Sequence, residues 1–338
     1  MSERAPVSAP VEVTQQSFED RGARRPTLSL VLPVFNEEET IPELERRLKT
    51  FLGELGETAE VVFVNDGSKD RSLEMLKALA AENPGYRIVS FSRNFGHQLA
   101  ITAGVDRAEG EAVVVMDADL QDPPEVVRDM LVKWREGFDV VYGVRKQREG
   151  ETVFKRFTAA VFYRLLRAIV GVSIPVDAGD FRLMSRKVVL ALRALRETHR
   201  FVRGMVAWVG FRQTAVYYER PARFAGETKY PLRKMIRFAI DGITSFSVMP
   251  LRIATWLGTA AGFIGVGAGL WAAYEKVFGS GTVAGWTTIM IAVSLGSAAQ
   301  LLMTGILGEY VGRTYEEVKR RPLYLVSEEV NFGRPPER

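Results

Sequence analysis

Hydrophobic residues in the first half of the chain come in short unbroken runs, each ending in a polar cluster. LSLVLPV (28–34) stops at Phe35-Asn36-Glu37, and AEVVFV stops at Asn65-Asp66-Gly67-Ser68. RIVSFS, EAVVVMDADL and FDVVYGVR follow, the fourth run ending on Asp117 and Asp119 and the fifth on Arg145. Between the runs, apolar positions recur at helical spacing: Ile41, Leu44, Leu48, Leu52 and Leu55, then Leu73, Leu76 and Leu79, then residues 124–136. Five strands alternating with helices predict a mostly parallel sheet covered on both faces. Ligands bind such sheets at the carboxyl ends of the strands, where the polar clusters stand.

The pattern then changes. Residues 153–170 put Phe154, Phe157, Val161, Leu165 and Ile169 on one stripe and Lys155, Arg156, Arg164 and Arg167 opposite. Residues 230–247 repeat it, with Leu232, Ile236, Ala239, Ile243 and Phe246 against Arg233, Lys234 and Arg237. Such helices either pack on their own domain or lie in a membrane interface. The second directly precedes an uncharged stretch, which favours the interface; for the first both readings stand. Residues 253–274 and 283–308 carry no charge, and at ~1.5 Å rise per residue each is long enough for a hydrocarbon core of ~30 Å. The expectation is a two-helix transmembrane hairpin. Its flanks are basic on the head side (Arg233, Lys234, Arg237, Arg252, Arg313, Lys319, Arg320, Arg321), against Lys276 in the connecting loop. That asymmetry places the head and both termini in the cytoplasm of a multi-pass inner (plasma) membrane protein. Gly258, Gly262, Gly265 and Gly269 have small-xxx-small spacing, which suits packing of the hairpin or a homo-oligomer, dimer or tetramer.

Composition narrows the chemistry. The 338 residues contain no cysteine and two histidines, which excludes disulfides, thiolate zinc and a cysteine nucleophile. The net charge of +4 collects beside the first apolar stretch, where anionic headgroups rather than nucleic acid are the partner. Residues 1–26 are polar, without an apolar signal core, and read as a disordered tail.

Asp117-Ala118-Asp119 follows a buried strand, where alternation would aim both acids at one divalent cation, Mg²⁺ or Mn²⁺. The plain alternative is a solvated turn or helix cap before Pro123-Pro124. Asp66 at a neighbouring strand end, with Arg145, Arg223 and Lys229 to meet a diphosphate, favours the metal reading. No GxxxxGK[ST] loop is present, so this is not a P-loop NTPase.

The ordered runs LPVFNEEE, VNDGSKDRS, SRNFGHQLA, MDADLQDPPE, GVRKQREGE, DAGDFRLMSR and RFAGETKYPLRK together resemble family 2 glycosyltransferases of the GT-A fold. More narrowly, the chain is similar to the polyprenyl-phosphate glycosyltransferases, dolichol-phosphate mannose synthase and the bactoprenol glucosyltransferases. The resemblance covers roughly residues 27–325. It implies a Rossmann-like GT-A domain at 27–229, an interfacial helix at 230–250, two transmembrane helices within 251–310 and a cytoplasmic tail at 311–338.

By the same resemblance, Pro33, Phe35 and Glu37 hold the nucleotide, and Val64 and Asp66 lie beside its base. Asp119 and Gln121 are implied as metal ligands, with Asp117 at the metal or nucleotide beside Ala118. Arg145, Arg223 and Lys229 match phosphate-clamping positions. Asp177, Asp180 and Arg182 fall in the block that serves the acceptor. The chain carries Asn65 where many relatives have Asp. The implied reaction moves a sugar, glucose from UDP-glucose by default, from a nucleotide sugar to a polyprenyl phosphate such as undecaprenyl or dolichol phosphate. The acceptor is already anionic, so a general base is nearly dispensable. Asp180 is the candidate for a residual base or positioning role, with Asp177 as rival and a structural carboxylate as the third reading. His97 and His199 read as structural. A processive polysaccharide synthase and a non-catalytic membrane scaffold are the alternatives; the first lacks its Gln-x-x-Arg-Trp element here.

Overall fold

A computed structural model describes residues 25–145, 178–219, 249–278 and 285–332. The strands are β1 (Leu28–Val34), β2 (Ala59–Asn65), β3 (Tyr86–Phe91), β4 (Ala112–Val115), β5 (Val140–Arg145), β6 (Ala178–Ser185), β7 (Gln213–Tyr218) and β8 (Val326–Val330). Six helices accompany them in the head: α1 (Ile41–Leu55), α2 (Ser72–Glu82), α3 (His97–Arg107), α4 (Val126–Arg135), α5 (Arg186–Ala194) and α6 (Val202–Trp208). Two long helices follow, α7 (Met249–Phe278) and α8 (Trp286–Val318).

All eight strands form one sheet in the order β7-β5-β6-β4-β1-β2-β3-β8. The five expected strands are present. β1 pairs in parallel with β2 and β4, β2 with β3, and β5 with β7. β6 inserts antiparallel between β4 and β5, so the last two expected strands are not neighbours. Sequence alternation identifies a strand but carries no label for its partner.

Strand β1 is buried along its whole length, as its uninterrupted apolar run requires. Leu28, Leu30, Leu32 and Val34 meet Leu44, Leu48 and Phe51 of α1, Leu76 of α2 and Met130 of α4 on one face. Val31, with Val62, Val64, Val113 and Val115, meets Ala100 and Ile101 of α3, Val188 of α5 and Met205 of α6 on the other. Each such side chain contributes about 1.5–3 kcal/mol by leaving water. Close approach of α3 depends on Gly104, where an added Cβ would collide with Val31 Cγ1.

Two boundaries differ from expectation. β4 ends at Val115, so Asp117 and Asp119 lie in a tight loop and not on the strand. Met116, Ala118 and Leu120 still bury at alternate positions, and Leu120 takes φ 62°. The segment 311–338, expected as a tail, instead begins in α8 and supplies β8, antiparallel to β3. Its charged residues read as solvated because an edge strand buries little. Lys77 pairs with Glu328 and Arg107 with Glu329, both at 2.6 Å. Tyr324 stacks on Phe91 with ring centroids 5.0 Å apart.

Within α7, Met249–Trp271 is long and apolar enough to cross a membrane, the one such helix among the described residues. Trp256 and Phe263 on this helix are each 75% exposed. The expected second span is not established in α8 by the same measure. An added Cβ at Gly258 would meet Met303 of α8 at 3.4 Å, while one at Gly262, Gly265 or Gly269 meets nothing among the described residues. The helices expected at 153–170 and 230–247, and residues 1–24 of the expected tail, lie outside the described residues.

Candidate active site

The carboxyl ends of β1, β2 and β4 and the strand β6 bring the polar clusters to one rim. The loops after β1 and β2 are laced together. Asn36, at φ 55°, donates its N–H to Ser68 Oγ at 3.0 Å, and its Oδ1 accepts the Lys69 N–H at 2.8 Å. The Glu37 N–H bonds Ser72 Oγ at 2.8 Å, and Thr40 Oγ1 donates to Glu37 Oε2 at 2.7 Å. Gly67, at φ 66°, has no alternative residue: an added Cβ would stand 2.5 Å from the Arg93 carbonyl carbon.

The implied nucleotide residues divide by position. Phe35 is exposed at the rim, whereas Pro33 and Val64 are paired inside β1 and β2. Val64 packs toward α3, and Ala118 is buried in the opposite core cluster, so these residues offer a ligand backbone rather than side chain. Asp66 is buried and occupied: its carboxylate accepts the Phe95 N–H at 2.7 Å and the Gly96 N–H at 3.0 Å. It anchors the turn into α3. Burial raises its pKa against those two bonds. Asn65, also buried, donates to Ser90 Oγ at 2.9 Å and accepts the Ser68 N–H at 3.2 Å.

The acidic loop after β4 is crowded. Asp119 Oδ1 accepts the Gln121 N–H at 3.1 Å. Asp122 accepts the Asp117 N–H at 3.3 Å and the Tyr218 hydroxyl at 2.7 Å. Asp117 Oδ1 is buried with no hydrogen-bond partner among the described residues. Burial pushes the Asp117 carboxyl up to about 7, and Asp122, Asp180 and Asp119 add to this against the opposing charge of His97. Burial raises Asp122 as well. Such a set favours a cation, and an orphaned oxygen beside Asp119 fits a divalent metal shared with a ligand's phosphates. Among the described residues no three His, Cys, Asp or Glu side chains converge on a metal position, so the protein would supply only part of the coordination.

Cations border this loop. Arg145 lies against Tyr218 and Asp122, and an added Cβ at Gly179 would come within 3.2 Å of its Nη2. On β6, Arg182 is 1% exposed and donates Nη2 to the Gly179 carbonyl at 2.7 Å; its Nη1 has no partner among the described residues. Asp180 is gripped by Arg203 of α6, Nε to Oδ1 at 2.9 Å and Nη2 to Oδ2 at 3.0 Å. Burial opposes ionisation of Asp180, but His97, Arg203 and Arg182 hold it well below the usual carboxylate range. It is a fixed anion, suited to positioning and not to proton uptake.

The sequence reading missed His97, Arg203, Asp122 and Tyr218. His97 Nε2 stands 3.3 Å from Asp180 Oδ2 and 3.6 Å from Asp117 Oδ1. Burial opposes its charge, yet the Asp180 hydrogen bond and both acids push it up to about 9. His97 and Asp122 both lie inside motif runs, SRNFGHQLA and DLQDPPE, and that was the only signal. Arg223, Lys229 and Asp177 fall outside the described residues.

A Rossmann-like sheet with an acidic, cation-edged cleft at its strand ends is the arrangement of a GT-A glycosyltransferase. The family model described as glycosyl transferase family 2 matches residues 29–193. An uncharacterized glycosyltransferase, YkcC of Bacillus subtilis (strain 168), is 52% identical over 301 residues, covering 88% of this chain and 92% of that protein. A prophage bactoprenol glucosyl transferase homolog of Escherichia coli (strain K12) is 40% identical over 299 residues, 88% of this chain and 98% of that one. The bactoprenol glucosyl transferase of Shigella phage SfII is 41% identical over 299 residues, 88% and 97% of the two chains. The chain belongs to glycosyl transferase family 2.

Proposed function

We propose that this glycosyltransferase moves a sugar, glucose from UDP-glucose by default, onto a polyprenyl phosphate at the cytoplasmic face of the membrane. The observation that carries the reading is the likeness to bactoprenol glucosyl transferases over nearly their full length. It extends through the exposed apolar helix Met249–Trp271, which gives a lipid acceptor a reason to be nearby.

In this reading a phosphate oxygen of the lipid attacks the anomeric carbon. The bond from that carbon to the diphosphate breaks, and the electron pair leaves with the nucleoside diphosphate. Attack from the face opposite the leaving group inverts the anomeric centre. Asp117, Asp119 and Gln121 would hold Mg²⁺ or Mn²⁺, which supplies Lewis-acid stabilisation of the departing diphosphate. Arg145, with Arg223 and Lys229, neutralises phosphate charge. Asp180 and Arg182 order the acceptor side, and Asp180 serves there as a positioning anion. Phe35 and Glu37 border the nucleotide, while Pro33, Val64, Ala118 and Asp66 shape the backbone around it.

The membrane part of the proposal is a hairpin of two spans within 251–310, with the head and both termini cytoplasmic. The test is transfer of radiolabelled sugar from a panel of nucleotide sugars to lipid extractable from membranes. A labelled polyprenyl-phosphate sugar is expected. A polymer product would mean a processive synthase, and no product from any donor would end the enzymatic reading.

A further inference from the structure

The far end of α8 is fastened to the loop between α5 and α6. Glu317 Oε2 accepts the Thr198 N–H at 2.9 Å, and Glu316 Oε2 lies 2.6 Å from His199 Nε2. Arg200 closes the same loop by donating Nη1 to the Leu195 carbonyl at 2.5 Å. Immediately afterwards the loop reaches the rim. The Val202 N–H donates to Gln98 Oε1 at 3.0 Å, and Gln98 Nε2 donates onward to Asp180 at 3.4 Å. Arg203 then donates its two hydrogen bonds to Asp180.

Few residues separate the α8 contacts from Arg203, and a chain spans at most ~3.3–3.6 Å per residue. Residues 195–201 have no helix or strand of their own, so no ladder of internal bonds fixes their path. They are held by α8, by the Arg196–Asp106 pair at 2.7 Å, by Leu195 and the buried Phe201 on the core, and at the rim by Gln98. Among these, α8 alone ties the stretch to the C-terminal helices. The Glu316–His199 pair is 53% and 36% exposed, and pairs of that exposure add little to stability. Its effect is therefore geometric.

We propose that Glu316 and Glu317 are positioning residues for the transfer reaction. By holding Thr198 and His199, they set where Arg203 meets Asp180, so the seating of the long C-terminal helix on the head tunes the site. The inference rests on the glycosyl-transfer reading above.

The test uses the full chain in membranes or detergent. Glu316→Ala with Glu317→Ala should lower kcat about tenfold while the nucleotide-sugar KM stays within about twofold. The unfolding midpoint should hold, and His199→Lys, which keeps a hydrogen-bond donor opposite Glu316, should stay near the unaltered rate. Added to Arg203→Lys, the double change should cost nothing further, because both act through one contact. Full additivity, an unchanged kcat, or a rate loss that vanishes after correction for the folded fraction would overturn the proposal. Hydrogen exchange supplies a readout free of activity. Amides of α6 should exchange about tenfold faster in the double variant while β1 and β2 keep their protection. Unchanged α6 protection overturns the bracing even if transfer is never detected, whereas absence of transfer alone counts only against the functional reading.

Discussion

Arg203 holds Asp180 through two parallel bonds, Nε to Oδ1 at 2.9 Å and Nη2 to Oδ2 at 3.0 Å. A short helix after β6 thereby fixes the ionisation of a strand residue beside the acidic loop. Asp180→Asn keeps the shape but removes the charge, leaving Arg203 and the buried Arg182 without their anion. Stability should fall by about 2–3 kcal/mol, read by urea unfolding, and transfer by about 10²-fold. Because the folded pKa is depressed, this contribution is present above the unfolded value of about 3.9 and lost as pH falls through the folded one. Asp180→Asn with full activity would show that the anion does not position the acceptor side.

His97 has the opposite sign. Its folded pKa is raised to about 9, so its contribution is complete below about 6.5 and lost as pH rises through about 9. In chelated, donor-free protein, the gap in unfolding midpoint between the natural chain and His97→Gln should narrow from pH 6.5 to 9.5. A gap of constant width would mean that His97 is neutral throughout.

The acidic loop predicts metal dependence. Asp119→Ala should abolish transfer, and a chelator should do so reversibly, with Mg²⁺ or Mn²⁺ restoring the rate. Asp117→Asn should also retain less metal, measured by calorimetry with the metal and a nucleoside diphosphate. Undiminished activity of Asp119→Ala in chelator would remove the metal from the mechanism.

The C-terminal strand predicts a stability effect far from the chemistry. Asn331, at φ 62°, donates its side-chain amide to the Ala80 carbonyl at 2.7 Å and the Tyr86 carbonyl at 2.8 Å. Asn331→Ala should destabilise the head by about 1 kcal/mol while leaving the KM for nucleotide sugar unchanged. Equal denaturation curves would show that β8 is not anchored through this side chain.

The charge asymmetry around the apolar stretches predicts topology, and the absence of cysteine makes it testable. Single cysteines at Glu74, on the exposed face of α2, and at Ser280 should differ toward an impermeant thiol reagent on intact cells. Position 280 is expected to react and position 74 to stay protected. Labelling at 74 would invert the proposed orientation.

The sheet was legible where composition forces an outcome. LSLVLPV and AEVVFV are short, apolar and rich in valine, which favours buried strands over helices, and both stand adjacent and parallel in the fold. The insertion of β6 was not legible, since the mixture of charges in DAGDFRLMS masks its alternation. Arg182 is buried there among Gly179, Asp180 and Tyr142. The first two are near neighbours in the chain, but Tyr142 comes from β5, forty residues earlier, and only the fold brings it alongside. β8 escaped for the same reason: its Ser-Glu-Glu centre is polar because one edge faces solvent.

The sequence by itself determined the family, the alternation of strands and helices, the acidic loop after β4 and the apolar helix near the C-terminus. Each of these is a property of consecutive residues or of motif order. Tertiary structure alone decided that Asp66 is committed to the α3 turn, that Asp180 is a fixed anion, and that His97 belongs among the acids. Ionisation and hydrogen bonding depend on which groups lie within a few ångströms after the chain has folded. Spacing along the chain carries no such distance between Asp180 and His97 or between Glu316 and His199.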